Sequence, residues 1–279
     1  YYCGKSAFPS CKKCVCRVGF APFCKAPQRG LQEMVKPLLA GNWKMHGNAN
    51  SATELVEQLA AHEDTFSGVD MIVFPPAVHL SAVVDALASS VIDVGGQNMS
   101  QHDDGALTGE ISGAMLKDIG CDYVLVGHSE RRTVFAESNN EIAEKFNTAQ
   151  AQGLTPVLCV GESLQQRQQG QTVKVVTEQI AAVINRVGIE NLCRGVIAYE
   201  PVWAIGTGEV ATPEQAQSVH AEIRSQLGLQ GADTRLLYGG SVNASNAAEL
   251  FAQPDINGGL VGGASLKAQE FLNIAQLMA

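Results

Sequence analysis

From about residue 34 onward, short apolar runs bounded by glycine, proline or polar residues alternate with longer amphipathic stretches. The short runs fall at residues 37–44, 69–74, 91–95, 122–127, 155–160, 195–200, 234–239 and 259–261. Each is nearly all apolar, as expected for parallel strands buried on both faces. The longer stretches predict helices, because their apolar positions recur every three or four residues. Residues 51–62 place Leu55, Val56 and Leu59 on one face, and residues 173–187 do the same with Val173, Val176, Ile180 and Ile184. Thr212 and Pro213 read as a cap and first-turn proline for a helix running to Leu229. Residues 243–251 and 266–278 supply the last two helices.

Eight strands alternating with about eight helices predict an α/β fold of the (β/α)8 barrel type, whose usual span is about 250 residues. A doubly wound open sheet is the competing architecture. It requires a glycine-rich turn after the first strand, and Asn42-Trp43-Lys44 stands there instead.

The periodicity is missing from residues 1–33, which we separate as a cysteine-rich extension, with Met34 as the natural start of a catalytic domain covering 34–279. Five of the eight cysteines (Cys3, Cys11, Cys14, Cys16 and Cys24) lie in the extension. Their odd number, their spacing and the lack of a histidine fit no standard zinc or disulfide pattern. A functionless, mostly disordered addition, a metal-binding or crosslinking segment, and a recruiting module all stay open. Cys121, Cys159 and Cys193 are scattered through the domain, as a reducing cytosol permits.

Charge follows the same division. The extension sets Lys5, Lys12, Lys13, Arg17, Lys25 and Arg29 against Glu33, a balance of +5, so the domain carries −14 of the total of −9. An acidic domain argues against nucleic acid as a partner, and cations that hold an anionic substrate must be placed individually. No run of about 18 apolar residues is present to cross a membrane, and no secretory signal opens the chain. A cytoplasmic protein is expected.

In a (β/α)8 barrel, active sites lie at the carboxyl ends of the strands. The predicted ends carry Asn42 and Lys44, then His128 and Glu130, then Glu200, with glycine turns at Gly239-Gly240-Ser241 and Gly262-Gly263. Glycines let backbone N–H groups approach an anion, and helices starting just after both turns would add their positive ends. Either turn alone fits a bare strand-to-helix turn as well as a phosphate loop; two on adjacent strands point to phosphate. Pro201 ends its strand and leaves Glu200 at the rim as a base or a salt-bridge partner. His128 precedes a short predicted helix whose N-terminus disfavours the imidazolium. The remaining histidines, His46, His62, His79, His102 and His220, read as surface or packing residues. Alternation along the strand puts Asn42 and Lys44 on one side.

Five segments together resemble the triosephosphate isomerase family: Asn42-Trp43-Lys44-Met45, VGHSERR from Val126, AYEPVWAIGTG from Ala198, YGGSV from Tyr238 and LVGGA from Leu260. They stand in the family's order and spacing, and the similarity runs from about Met34 to the C-terminus. The resemblance implies a TIM barrel that interconverts dihydroxyacetone phosphate and glyceraldehyde 3-phosphate with no cofactor and no metal. It assigns Glu200 as the base and neutral His128 as the electrophile. Lys44 and Asn42 would stabilise the enediolate-like charge, with Glu130 in support. Gly206, Ser241, Gly262 and Gly263 would hold the phosphate, and residues 201–208 would form a lid. The long segment from Gln97 to Glu110 resembles a loop that enters a partner subunit, which implies a homodimer. His46 departs from the asparagine often found there.

Two other functions share part of this pattern. A lyase or synthase of sugar phosphates needs the glycine turns but not His128, Glu200 and a tryptophan-bearing lid together. A silent binding barrel would be expected to lose one of Lys44, His128 or Glu200, and all three are present.

Overall fold

Each of the eight predicted runs overlaps a strand. The computed structural model describes residues 35–206 and 209–278, so the expectations for residues 1–33, and for Thr207 and Gly208 of the lid, lie outside the described residues. The strands are β1 (Leu38–Asn42), β2 (Asp70–Phe74), β3 (Asp93–Gly96), β4 (Tyr123–Val126), β5 (Thr155–Val160), β6 (Val196–Tyr199), β7 (Leu236–Tyr238) and β8 (Gly258–Val261). Each pairs in parallel with its neighbours in sequence order, and β8 pairs with β1 to close the barrel.

Strand alternation divides the core in two. Leu38, Ala40, Ile72, Phe74, Leu125, Val157, Cys159, Val196, Ala198, Leu237 and Leu260 form one buried cluster that fills the barrel. The residues between them, such as Leu39, Met71, Val73, Val124, Val126, Leu158, Val160 and Ile197, face the helices in a second, larger cluster. A pleated strand sends successive side chains to opposite faces, and both faces here are covered. That explains why the runs read as continuous apolar stretches.

The helices are α1 (Ala49–Ala60), α2 (Leu80–Ala86), α3 (Gly113–Asp118), α4 (Ser129–Thr133), α5 (Asn139–Ala151), α6 (Leu164–Gln168), α7 (Thr172–Val187), α8 (Ile189–Cys193), α9 (Pro213–Leu227), α10 (Ala247–Phe251) and α11 (Ala268–Gln276). The predicted Thr212 cap is present: its side chain accepts the Gln215 N–H, and Pro213 opens the helix. That helix ends at Leu227 rather than Leu229, because Gly228 takes a left-handed φ of 59°. Among the described residues, no helix is long and apolar enough to cross a membrane.

Candidate active site

The interior alternation of the strands continues past their ends and builds the mouth. From Leu38 and Ala40 the next inward position is Asn42, and from Val196 and Ala198 it is Glu200. Continuing in the same way from Leu125, Cys159, Leu237 and Leu260 gives Gly127, Gly161, Gly239 and Gly262. At the ends of these six strands two polar side chains therefore enter among four glycines, and a cavity of about 310 Å³ remains there. Asn42, Lys44, His128, Glu200, Gly206, Ser241, Gly262 and Gly263 all line it, and Glu130 stands in the adjoining cavity.

Lys44 does not reach the cavity by strand alternation, contrary to the sequence reading. β1 ends at Asn42, and Lys44 adopts a left-handed φ of 53°. Its backbone N–H donates to Asn42 Oδ1 at 3.0 Å. Its ammonium donates to Glu130 Oε1 at 2.6 Å, and its side chain passes over Gly262, where an added Cβ would lie 3.6 Å from Lys44 Cε.

His128 likewise enters through a turn. Gly127, with φ 71°, bends the chain, and His128 caps α4 by accepting the Glu130 N–H on Nδ1 at 3.3 Å. In the neutral ring that acceptor role puts the proton on Nε2, which faces Glu200 Oε1 at 2.9 Å. The other Glu200 oxygen accepts the Ser129 N–H at 2.8 Å. Both side chains are almost fully buried.

Burial disfavours the charged imidazole, but the Glu200 carboxylate and its hydrogen bond, with Glu130 behind, outweigh burial and the opposing Lys44. They raise the His128 pKa above its ordinary 6.5. The sequence reading looked to the α4 N-terminus to disfavour the imidazolium; the net direction is the opposite, because Glu200 outweighs what opposes the charge. For Glu130, burial acts to raise the pKa. The Lys44 hydrogen bond and the His128 ring outweigh it and hold the carboxyl below its ordinary value.

The glycine turns differ from expectation in one respect. The helix after Ser241 begins only at Ala247, while Gly263–Leu266 forms a short 3-10 turn directly after Gly262. A helical N-terminus therefore follows one turn at close range, not both. Gly240 has a separate reason to lack a side chain, since a Cβ there would lie 2.2 Å from the Tyr238 hydroxyl oxygen. The Ser241 N–H and hydroxyl both donate to Ala204 O, at 3.1 and 2.8 Å, tying this turn to residues of the expected lid.

Sequence reasoning missed Glu162, which lies two residues past β5 and is wholly buried. It accepts from Tyr199 Oη at 3.1 Å, Trp203 Nε1 at 3.0 Å and Arg167 Nη1 at 3.3 Å. Arg167 also stacks 4.4 Å over the Trp203 ring, so the first part of the expected lid is anchored to a buried carboxylate. The strand-end criterion that found Glu200 finds Glu162 as well when applied to β5. Gly161 was also missed: a Cβ there would meet Glu200 O at 1.8 Å. Of the remaining histidines, His220 is fully buried, edge-on to Tyr199 at 5.6 Å.

The family model for triosephosphate isomerase matches residues 37–278. The chain is similar to the triosephosphate isomerase of Pseudomonas entomophila (strain L48), 54% identical over 243 residues that cover 85% of this chain and 96% of that protein. It is similar to that of Pseudomonas aeruginosa (strain LESB58), 54% identical over 246 residues, with coverage of 85% and 96%. The triosephosphate isomerase of Shewanella denitrificans (strain OS217 / ATCC BAA-1090 / DSM 15013) is 50% identical over 253 residues, with coverage of 87% and 97%.

Proposed function

The chain belongs to the triosephosphate isomerase family, and from that premise we propose how its barrel mouth interconverts dihydroxyacetone phosphate and glyceraldehyde 3-phosphate. The observation that carries the reading is the meeting of Glu200, His128 and Lys44 around one cavity beside the Gly262-Gly263 turn. Glu200 takes a proton from one carbon of the triose and returns it to the next. His128 Nε2–H donates to the carbonyl oxygen and moves protons between the two oxygens. The Lys44 ammonium and the Asn42 amide stabilise the oxyanion that forms, the kind of fixed charge complementarity that typically contributes about 10²–10³ in rate per donor. Glu130 holds Lys44 in place.

The phosphate lies against the backbone of Gly206, Ser241, Gly262 and Gly263. Ser241 N–H is engaged with Ala204 O, so binding phosphate there requires the Ala204 carbonyl to give way. Closure of the lid segment around Trp203 and Ala204 over the substrate excludes water, which strengthens the electrostatics and protects the intermediate.

The protein acts as a homodimer through the segment from Gln97 to Glu110. Supporting this, Met45, Val78 and Phe135 are strongly exposed. Met45 and Phe135 also line, with Gly109, Glu110 and Ile111, a cavity of about 400 Å³ that reaches Lys44. An exposed apolar surface of this kind marks a contact with another chain. The catalytic unit is residues 34–279, consistent with the compact unit Val35–Ala279, and it works in the cytoplasm. Free thiols at Cys121, Cys159 and Cys193 among the described residues suit a reducing compartment.

Isomerisation in D2O tests the chemistry. A proton carried by Glu200 exchanges with solvent, so deuterium is expected on carbon in the product. A fast reaction without solvent label would indicate direct hydride movement and overturn the assignment.

A further inference from the structure

We propose that Gln97 is a positioning residue for the isomerisation, acting by fixing the Lys44 backbone in the conformation that aims its ammonium into the cavity. The inference rests on the reading of Lys44 given above. Lys44 has a φ of 53°, a left-handed conformation that side chains with a Cβ adopt infrequently and that the surroundings must hold. Two contacts act from the catalytic side: the Asn42 side chain on Lys44 N–H, and Glu130 on the ammonium. The Lys44 carbonyl is held from elsewhere, accepting from Gln97 Nε2 at 2.7 Å.

The same Gln97 nitrogen donates to Phe74 O at 2.9 Å, and Phe74 O also accepts the Trp43 N–H at 3.1 Å. One amide thus clips the turn after β1 to the end of β2. Its orientation follows from chemistry, because both partners are carbonyl oxygens and only the NH2 end can donate to them. Gln97 lies just past β3 and does not line the 310 Å³ cavity. It lines the adjoining cavity and opens the segment assigned above to the dimer contact. The route through Lys44 is therefore separated from one through dimerisation by running the cycle below at a protein concentration where every variant has the oligomeric state of the unmodified protein. Asn42 and Gln97 grip the two ends of the Lys44 residue, so a change in either displaces the ammonium without removing it.

The test is a double-mutant cycle on the full chain. Gln97→Glu keeps the shape but loses the donor and sets carboxylate oxygens against two carbonyls; Gln97→Ala removes the group. Each is made alone and with Lys44→Ala, and kcat and KM are measured. Each single change is expected to lower kcat/KM about tenfold or more, as misplacement of a catalytic group does, with Glu at least as damaging as Ala. In the Lys44→Ala background the same changes are expected to alter kcat/KM by about twofold or less, the mark of a shared route. An equal loss in both backgrounds, or a wild-type kcat/KM for Gln97→Glu, overturns this inference alone. A wild-type kcat/KM for Lys44→Ala overturns the Lys44 reading and the inference with it. Should Gln97→Glu fail to fold, Gln97→Ala in the two backgrounds decides.

Discussion

Glu200 Oε1 lies 2.9 Å from His128 Nε2, so the carboxylate and the imidazole share one hydrogen bond and the acid–base behaviour of the ring depends on its neighbour. The second oxygen of Glu200 is held by the Ser129 N–H. For Glu200 to reach a substrate carbon, at least one of these contacts must be exchanged.

The first expectation concerns that pair. The Glu200 charge is the largest influence raising the His128 pKa, against burial. In Glu200→Gln the charge is gone, while burial and the α4 N-terminus remain. The His128 pKa should fall below that of the wild type, read by NMR titration of the ring. By linkage, a raised imidazole pKa contributes stability below pH 6.5 that is lost as pH rises through the folded value. The variant should lose that low-pH contribution. An unchanged His128 titration would show that Glu200 does not set its protonation.

Gly161 offers a steric test. A Cβ at this position would sit 1.8 Å from Glu200 O and 2.7 Å from its carbonyl carbon. These are backbone atoms at the end of β6 and cannot swing aside as a side chain would. Gly161→Ala should lower kcat about 10²-fold through displacement of the base. It should also cost about 1–3 kcal/mol of stability through overpacking. Steady-state kinetics and chemical unfolding check both; wild-type kcat in a folded variant would contradict the expectation.

A third expectation lies at the opposite end of the barrel, at the start of β3. Burial first, then Asp122 and Asp70, raise the Asp93 pKa above 3.8, while Arg235 opposes them. A carboxyl with a raised folded pKa binds its proton more tightly in the native state. Its stabilising share is present at acid pH and is lost as pH rises through the folded value. Asp93→Asn should therefore raise the melting temperature at pH 7 by about 1–3 °C, with the gain shrinking as pH falls toward 4. A lower melting temperature for the variant at pH 7 would contradict this.

The strands were legible because burial on both barrel faces leaves an apolar run with no competing period, as at Thr155–Val160. Long amphipathic helices such as Thr172–Val187 were legible for a similar reason. Five-residue helices such as Leu164–Gln168 are too short to show a period. Asn42 and Glu200 were legible as strand-end positions, Glu200 through the Pro201 that stops its strand. Lys44 and His128 reach the same cavity through left-handed backbone at Lys44 and Gly127, which strand alternation does not encode. Gln97 and Glu162 act on residues far along the chain, and Glu162 accepts from partners 37 and 41 positions away. Such contacts exist only once the barrel closes.

The most direct measurement is the isomerisation rate of Glu200→Gln, with folding verified separately. Gln keeps the size of the side chain and its place beside His128, but it has no lone pair basic enough to take a carbon-bound proton. The expected result is a fall in kcat of about 10²–10⁴, the usual contribution of a general base, with the substrate still bound. A kcat close to that of the unmodified protein would contradict the assignment of Glu200 and, with it, the account of proton transfer at this barrel mouth.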